Sequence, residues 1–384
     1  MSPPPTPLRP EPLPKDLLRE AEIARAIEFP PAAEELGLSS SYVYAQVLHA
    51  LWDSGFYEYV RANPRFNRAR AVEDLGFDGM TFDWLMYYLI GRGVVRAVTF
   101  ASDAPRSDAP THHPAELELT EKGRRVTNTI ARGLLNLYVG GYNALLSNLG
   151  PLLRREIHLD DMRLDRSARH AAAGTEDVTC VRVVPQVVEV LKEHEVRGIL
   201  DLGCGTGGFL IQWAHLAGGW GAGVDMSPGA LAAARVNAAS QGLQDRLSFF
   251  LGEVGKDSLP IDADVASRID ALTAMFMLHE FGRAGDPAIV RVLSALRAQF
   301  PGKLLLALEM QPVDVSALNG RPPPAMDALD YHFIHPLSRQ GEPRPKDVWQ
   351  RIYEEAGMKL LGVRRPRNSP LLIHVVRMGG AVVP

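Results

Sequence analysis

Two cysteines in 384 residues, Cys180 and Cys204, exclude a disulfide framework and a zinc cluster built on thiolates. No apolar run approaches the roughly 20 residues a helix needs to cross a bilayer. The opening Met-Ser-Pro-Pro-Pro-Thr-Pro has no apolar stretch behind a basic one, so a secretory signal is not expected. An excess of either charge is missing too: 41 basic against 45 acidic residues leave a net charge of −4. That balance argues against the basic footprint of a nucleic-acid binder and gives no reason for adhesion to an anionic membrane. What is present is 46% apolar sequence, enough for one large core or two smaller ones. The expectation is a soluble, cytoplasmic chain.

Prolines crowd residues 1–14, which predicts a disordered leader. From Lys15 to Val60 the pattern turns helical, with apolar Val43, Val47, Leu48, Leu51 and Trp52. Leu75–Val95 reads as a helix-turn-helix pair closing in a short strand, its second helix carrying Thr81–Met86 and ending at Gly91-Arg92-Gly93. A polar loop, Ala101–Pro114, and a strand, Leu117–Thr120, complete the outline of a winged helix over residues 15–125. Phe82, Trp84, Leu85, Met86, Tyr87 and Tyr88 dominate its second helix, so it lacks the basic face of a DNA reader and suits pairing or a lid. Residues 126–195 read as linker helices with a break at Gly140-Gly141-Tyr142. Beyond Val196, apolar strands alternate with helices at Gly198–Asp201, Gly221–Asp225, Leu247–Phe250, Ile269–Thr273 and Leu304–Glu309. This alternation predicts an α/β domain over 196–384, a doubly wound, mostly parallel sheet covered on both faces.

Asp201-Leu-Gly-Cys-Gly-Thr-Gly207 follows the first of these strands and opens a helix. Gly203, Gly205 and Gly207 allow a tight turn and close approach of the backbone to a ligand. Dinucleotide enzymes use similar spacing, so the turn alone is not decisive. Asp201 ahead of the glycines can face a ligand ammonium, Asp225 ending the next strand can reach ribose hydroxyls, and Gly252-Glu253 ending the third can meet an adenine edge. After the fourth strand, His279 and Glu280 arrive at the same sheet edge. An imidazole there is suited to take a proton from a hydroxyl; a helix-capping role is the plainer alternative. Two histidines in Asp330-Tyr-His332-Phe-Ile-His335 also permit a metal centre opposite His279.

On the Asp-x-Gly-x-Gly-x-Gly turn and Asp225, the C-terminal half resembles the class I S-adenosylmethionine-dependent methyltransferases, with Glu253 matching by charge only. The whole chain resembles the two-domain small-molecule O-methyltransferases, a winged-helix dimerisation domain before a Rossmann-like domain. The resemblance implies S-adenosylmethionine as cofactor and a small-molecule acceptor. It also implies a homodimer in which an aromatic face containing Tyr42, Tyr44, Trp52, Phe56, Tyr57 and Tyr59 closes the partner's pocket. Leu278-His279-Glu280-Phe281 is similar to that family's Leu-His-Asp-Trp, which makes His279 the base. Ala307-Leu308-Glu309 makes Glu309 its orienting acid, with Glu342 a weaker second match. The chain is also similar to α-keto acid C-methyltransferases, in which His279 and His335 would bind iron. A third expectation, of another class, is a non-catalytic S-adenosylmethionine-binding regulatory module. Tyr142, Arg169, Gly174 and Thr175 lie where a linker crosses the cofactor's methionine end, although packing explains them equally well.

Overall fold

The computed structural model describes residues 38–100, 114–256, 258–314, 316, 326–366 and 371–379. The leader 1–14, most of the Ala101–Pro114 loop and part of the segment after Pro312 lie outside these. Internal contacts divide the chain into two compact units, residues 1–48 and 49–384. The helix Leu38–Asp53 begins in the first. No helix among the described residues is long and apolar enough to cross a membrane.

The second unit opens with a small sheet of β1 (Arg65–Asn67), β2 (Val95–Phe100) and β3 (Pro114–Leu119), antiparallel in the order β1-β3-β2. Helices Arg68–Leu75 and Gly79–Gly91 precede the β2–β3 pair, giving the winged-helix order. Each helix starts where its sequence can cap it. Asn67 accepts the Arg70 amide at 3.1 Å and Asp78 accepts that of Thr81 at 2.8 Å. Phe56, Phe66 and Phe82 meet edge to face with centroids 5.5–5.7 Å apart, and all three are buried. Part of the expected aromatic face is therefore core: Trp52, Phe56 and Tyr57 are buried, whereas Tyr42 is exposed. On the Gly79–Gly91 helix, Met80, Trp84 and Tyr87 are exposed at i, i+4 and i+7, one face of that helix. Strand β3 runs Pro114–Leu119, not 117–120, because Thr120 leaves the ladder to cap the next helix, accepting the Gly123 amide at 2.9 Å.

The large sheet holds β4 (Gly198–Leu202), β5 (Trp220–Asp225), β6 (Leu247–Leu251), β7 (Ala271–Met275), β8 (Leu304–Met310), β9 (Met358–Arg364) and β10 (Leu371–Met378). Their order is β6-β5-β4-β7-β8-β10-β9. The first five are parallel, and β4, β8 and most of β7 are buried on both faces. Strand β7 starts two residues later than the sequence suggests. Asp270 turns its carboxylate to the amides of Arg197 and Gly198, at 2.8 and 3.0 Å, and so closes the entry to β4. Strands β9 and β10 were not among the expected ones; β10 inserts antiparallel between β8 and β9 and makes the sheet mixed.

Between the two sheets runs the helix Ala168–Arg182. Where a glycine break was expected, residues Leu135–Gly141 form a π-helical turn packed on it. Gly174 sits so close to this turn that a Cβ would stand 2.5 Å from the Leu137 amide nitrogen. That backbone contact carries the following turn of the helix to the edge of the large sheet.

Candidate active site

The carboxyl edge of β4 bends immediately. Gly203, Gly205 and Gly207 all have left-handed φ, of 71°, 53° and 82°, a conformation costly for any residue with a Cβ. The amides of Gly203 and Cys204 both donate to the Val224 carbonyl, at 2.8 and 3.1 Å, tying the turn to the end of β5. Asp225 then accepts the Gly205 amide at 2.9 Å on one oxygen and the Ser227 amide at 2.8 Å on the other. A Cβ on Gly205 would meet nothing within 4 Å, so open space lies beside the turn. Glycine backbone, vacant volume and an adjacent carboxylate fit a nucleoside ligand with a polar amino-acid arm.

Asp201 stands behind this turn. It is 3% exposed, and the Thr273 hydroxyl donates to it at 2.7 Å. Burial pushes its pKa up to about 7, with the charge of Asp225 adding to the rise and the Thr273 bond opposing it. A carboxyl that holds its proton more tightly in the folded chain stabilises the fold fully below its unfolded pKa. That contribution fades as pH rises through the folded value. In ligand-free protein this one group should thus take away stability between pH 4 and pH 7, by about 4 kcal/mol at most. Asp201→Asn keeps an acceptor for Thr273 and removes the charge, so urea unfolding of the variant should lack this part of the slope. His335 and His374, whose pKa values burial lowers, act in the opposite sense below pH 6.5 and cancel in the comparison. Equal slopes in the two proteins would refute the assignment.

Glu253 lies at the end of β6 but is paired with Lys256 at 2.6 Å and is 41% exposed. The Gly252 amide donates to the Asp225 carbonyl at 3.0 Å, so the ends of β5 and β6 are adjacent, as the sequence reading requires.

The second part of the candidate site forms where β7 ends. Phe276, at φ 55°, turns the chain through a conformation rare for a non-glycine residue. Met277 is thereby set beside Gly203, its sulfur 3.4 Å from where a Cβ would stand, and the short helix Leu278–Phe281 starts. His279 on that helix is 1% exposed and Glu309, from β8, is 2% exposed. His279 Nδ1 donates to Glu309 Oε2 at 2.8 Å, and the other carboxylate oxygen takes the His279 backbone amide at 3.3 Å. With Nδ1 protonated by this pairing, Nε2 keeps its lone pair. The Tyr331 hydroxyl donates to that lone pair at 3.0 Å.

The remaining sequence candidates separate. Glu280 points away from the imidazole and pairs with Arg166 at 3.0 Å, half-exposed. His332 accepts the Val313 amide at 3.1 Å and so pins its own segment. Glu342 is exposed. Arg169 pairs with Asp53 at 2.5 Å, away from the turn. Tyr142 is buried 2.5 Å from the Gln340 amide, and burial pushes its pKa up to about 12.

His335 is close to His279, with ring centroids 5.4 Å apart, but its Nδ1 donates to the Tyr331 backbone carbonyl at 3.0 Å. The Tyr331 ring stacks on it at 3.3 Å. Burial, reinforced by the neighbouring His279, holds His335 well below the usual imidazole range. Among the described residues no three His, Cys, Asp or Glu side chains are grouped to hold a metal. In this arrangement His279 Nε2 is engaged by the Tyr331 hydroxyl, so the two-histidine iron centre of the keto-acid likeness would need that contact to open.

Three residues the sequence reading did not single out belong to this region. Tyr331 contacts His279 Nε2, Thr273 holds Asp201, and Glu176 reaches the turn, its Oε2 accepting the Thr206 hydroxyl at 2.7 Å.

A parallel sheet whose first strand breaks into a glycine turn with open space beside it, and a buried histidine–glutamate pair at the same edge, is the arrangement of a nucleoside-dependent transferase fold. Residues 199–299 match the family profile of a methyltransferase domain. An indolepyruvate C-methyltransferase of Streptomyces griseus is 25% identical over 244 residues, 62% of this chain and 68% of that one. An acetylserotonin O-methyltransferase of Mus musculus is 29% identical over 191 residues, 48% of this chain and 45% of that one. The solved human N-acetylserotonin methyltransferase, in complex with S-adenosylmethionine, superimposes with a TM-score of 0.63 at 14% identity. That match covers 92% of this chain and 99% of the other. The chain is an S-adenosylmethionine-dependent methyltransferase, folded like the two-domain O-methyltransferases.

Proposed function

We propose that this enzyme methylates a hydroxyl of a small molecule, with His279 as general base and Glu309 as its orienting acid. The observation that carries the reading is the bond between the Tyr331 hydroxyl and His279 Nε2: the imidazole is buried and its free nitrogen already engages an oxygen-bound proton. When bound, the cofactor supplies a methyl group on sulfonium, an electrophile that needs little further activation. The chain's part is to place the acceptor and remove its proton. The acceptor's O–H proton passes to Nε2 as its oxygen bonds the methyl carbon and the carbon–sulfur bond breaks, leaving S-adenosylhomocysteine. Glu309 stabilises the imidazolium so formed, since the same carboxylate holds Nδ1–H and the His279 amide. The roles of Asp225 toward ribose and Glu253 toward adenine belong to this proposal too.

The likeness to the indolepyruvate enzyme favours a second reading, metal-dependent C-methylation of an α-keto acid, in which His279 and His335 would hold iron and the metal would stabilise the enolate. Incubation with S-adenosylmethionine and a pool containing phenols, acetylserotonin and indolepyruvate, with and without EDTA, separates the two. Mass spectrometry should show an O-methylated phenolic product formed at the same rate in both samples. A carbon-methylated keto acid whose formation stops on chelation would transfer the assignment to the second reading.

A further inference from the structure

The cofactor of this fold carries an α-ammonium group, and the sequence reading gave that charge to Asp201. The structure makes Asp201 a poor partner for it, sealed behind the turn with the Thr273 hydroxyl on its carboxylate. A second carboxylate stands at the turn instead. Glu176 comes from the helix Ala168–Arg182, held close by the contact of Gly174 with the π-helical turn. Its Oε2 accepts the Thr206 hydroxyl at 2.7 Å, and its Oε1 lies so near Gly208 that a Cβ there would overlap it. The carboxylate therefore sits over the first residue of the helix that follows the glycines, where only a glycine leaves room. Among the described residues Glu176 forms no ion pair; Arg132, the nearest cation to influence it, is committed to Asp177 at 2.5 Å. Burial without a cationic partner raises its pKa, as expected of an acid awaiting one.

We propose that Glu176 is the residue that binds the cofactor's α-ammonium group, with Thr206 fixing its carboxylate. The inference rests on the glycine turn holding the amino-acid arm of S-adenosylmethionine. A charge-assisted hydrogen bond in such a site is among the strong ones, so its loss is readable as affinity.

The test is calorimetric titration of the wild-type chain and Glu176→Gln with two probes, S-adenosylhomocysteine and 5′-methylthioadenosine. The second is a nucleoside thioether without the amino-acid arm. The variant is isosteric, and its melting midpoint is compared with that of the wild type. Affinity for S-adenosylhomocysteine should fall about 10- to 100-fold, while 5′-methylthioadenosine changes less than about threefold and the midpoint is retained. Undiminished affinity for S-adenosylhomocysteine overturns the proposal, and so does an equal loss for both probes, which would make Glu176 a support of the fold. A wild-type chain that binds neither probe contradicts the cofactor site itself, a different failure from that of Glu176.

Discussion

Alanine at position 279 should lower kcat about 1,000-fold, within the 100- to 10,000-fold range of lost general-base catalysis. S-adenosylhomocysteine should bind the variant within about twofold of wild type. The split follows from geometry: the imidazole touches Glu309 and Tyr331, and neither lies on the glycine turn. Glu309→Gln should have a smaller effect, since the amide still meets Nδ1–H but no longer carries the charge that stabilises imidazolium. Activity is read as S-adenosylhomocysteine release with the acceptor found in the pool experiment. An alanine variant that retained more than a tenth of wild-type kcat would remove His279 from the chemistry. A variant that lost cofactor affinity to the same degree would make it a structural residue.

The second large effect belongs to the turn. Gly205 has a φ of 53° and open space beside it, so a side chain there costs the backbone and fills the ligand's volume. Valine adds backbone strain of about 1–3 kcal/mol, a modest change in the melting midpoint for a chain of this size. It should reduce affinity for S-adenosylhomocysteine on the order of 100-fold, the equivalent of about one charge-assisted hydrogen bond. A stable Gly205→Val protein with unchanged affinity would mean that the ligand does not approach this turn.

The fold was legible in sequence where burial and periodicity coincide. Strands β4, β5, β6 and β8 fall within a residue or two of their expected bounds, because parallel strands covered by helices read as apolar runs. Strand β7 is displaced by Asp270, whose carboxylate serves the β4 entry, a contact over 70 residues away that no local pattern reveals. Strand β9 has a mostly exposed, irregular pattern, and β10 is an apolar run interrupted by His374 and Arg377, so neither announces itself. His374 is nonetheless buried, its Nδ1 meeting the Tyr353 hydroxyl at 2.9 Å.

The site divides in the same way. Glycines before a helix and a histidine after a strand are local signals, and the structure brings His279 and Glu309 together across 30 residues as the family likeness implied. Glu280, adjacent in sequence, is separated from that pair by one step along the helix and serves Arg166 instead. Glu176 sits on a helix whose composition gives no sign of function, and Tyr331 is passed over beside the two histidines that mark its helix. Their placement comes from packing: Gly174 against Leu137 for one, the stacked His335 for the other.

Titrating S-adenosylhomocysteine into the purified 384-residue chain asks most directly whether the bend after β4 is a sulfonium-nucleoside site. Saturable heat at one ligand per chain is the predicted result. A flat titration at ligand concentrations up to the millimolar range would contradict it, and with it every role assigned above to the residues around that bend.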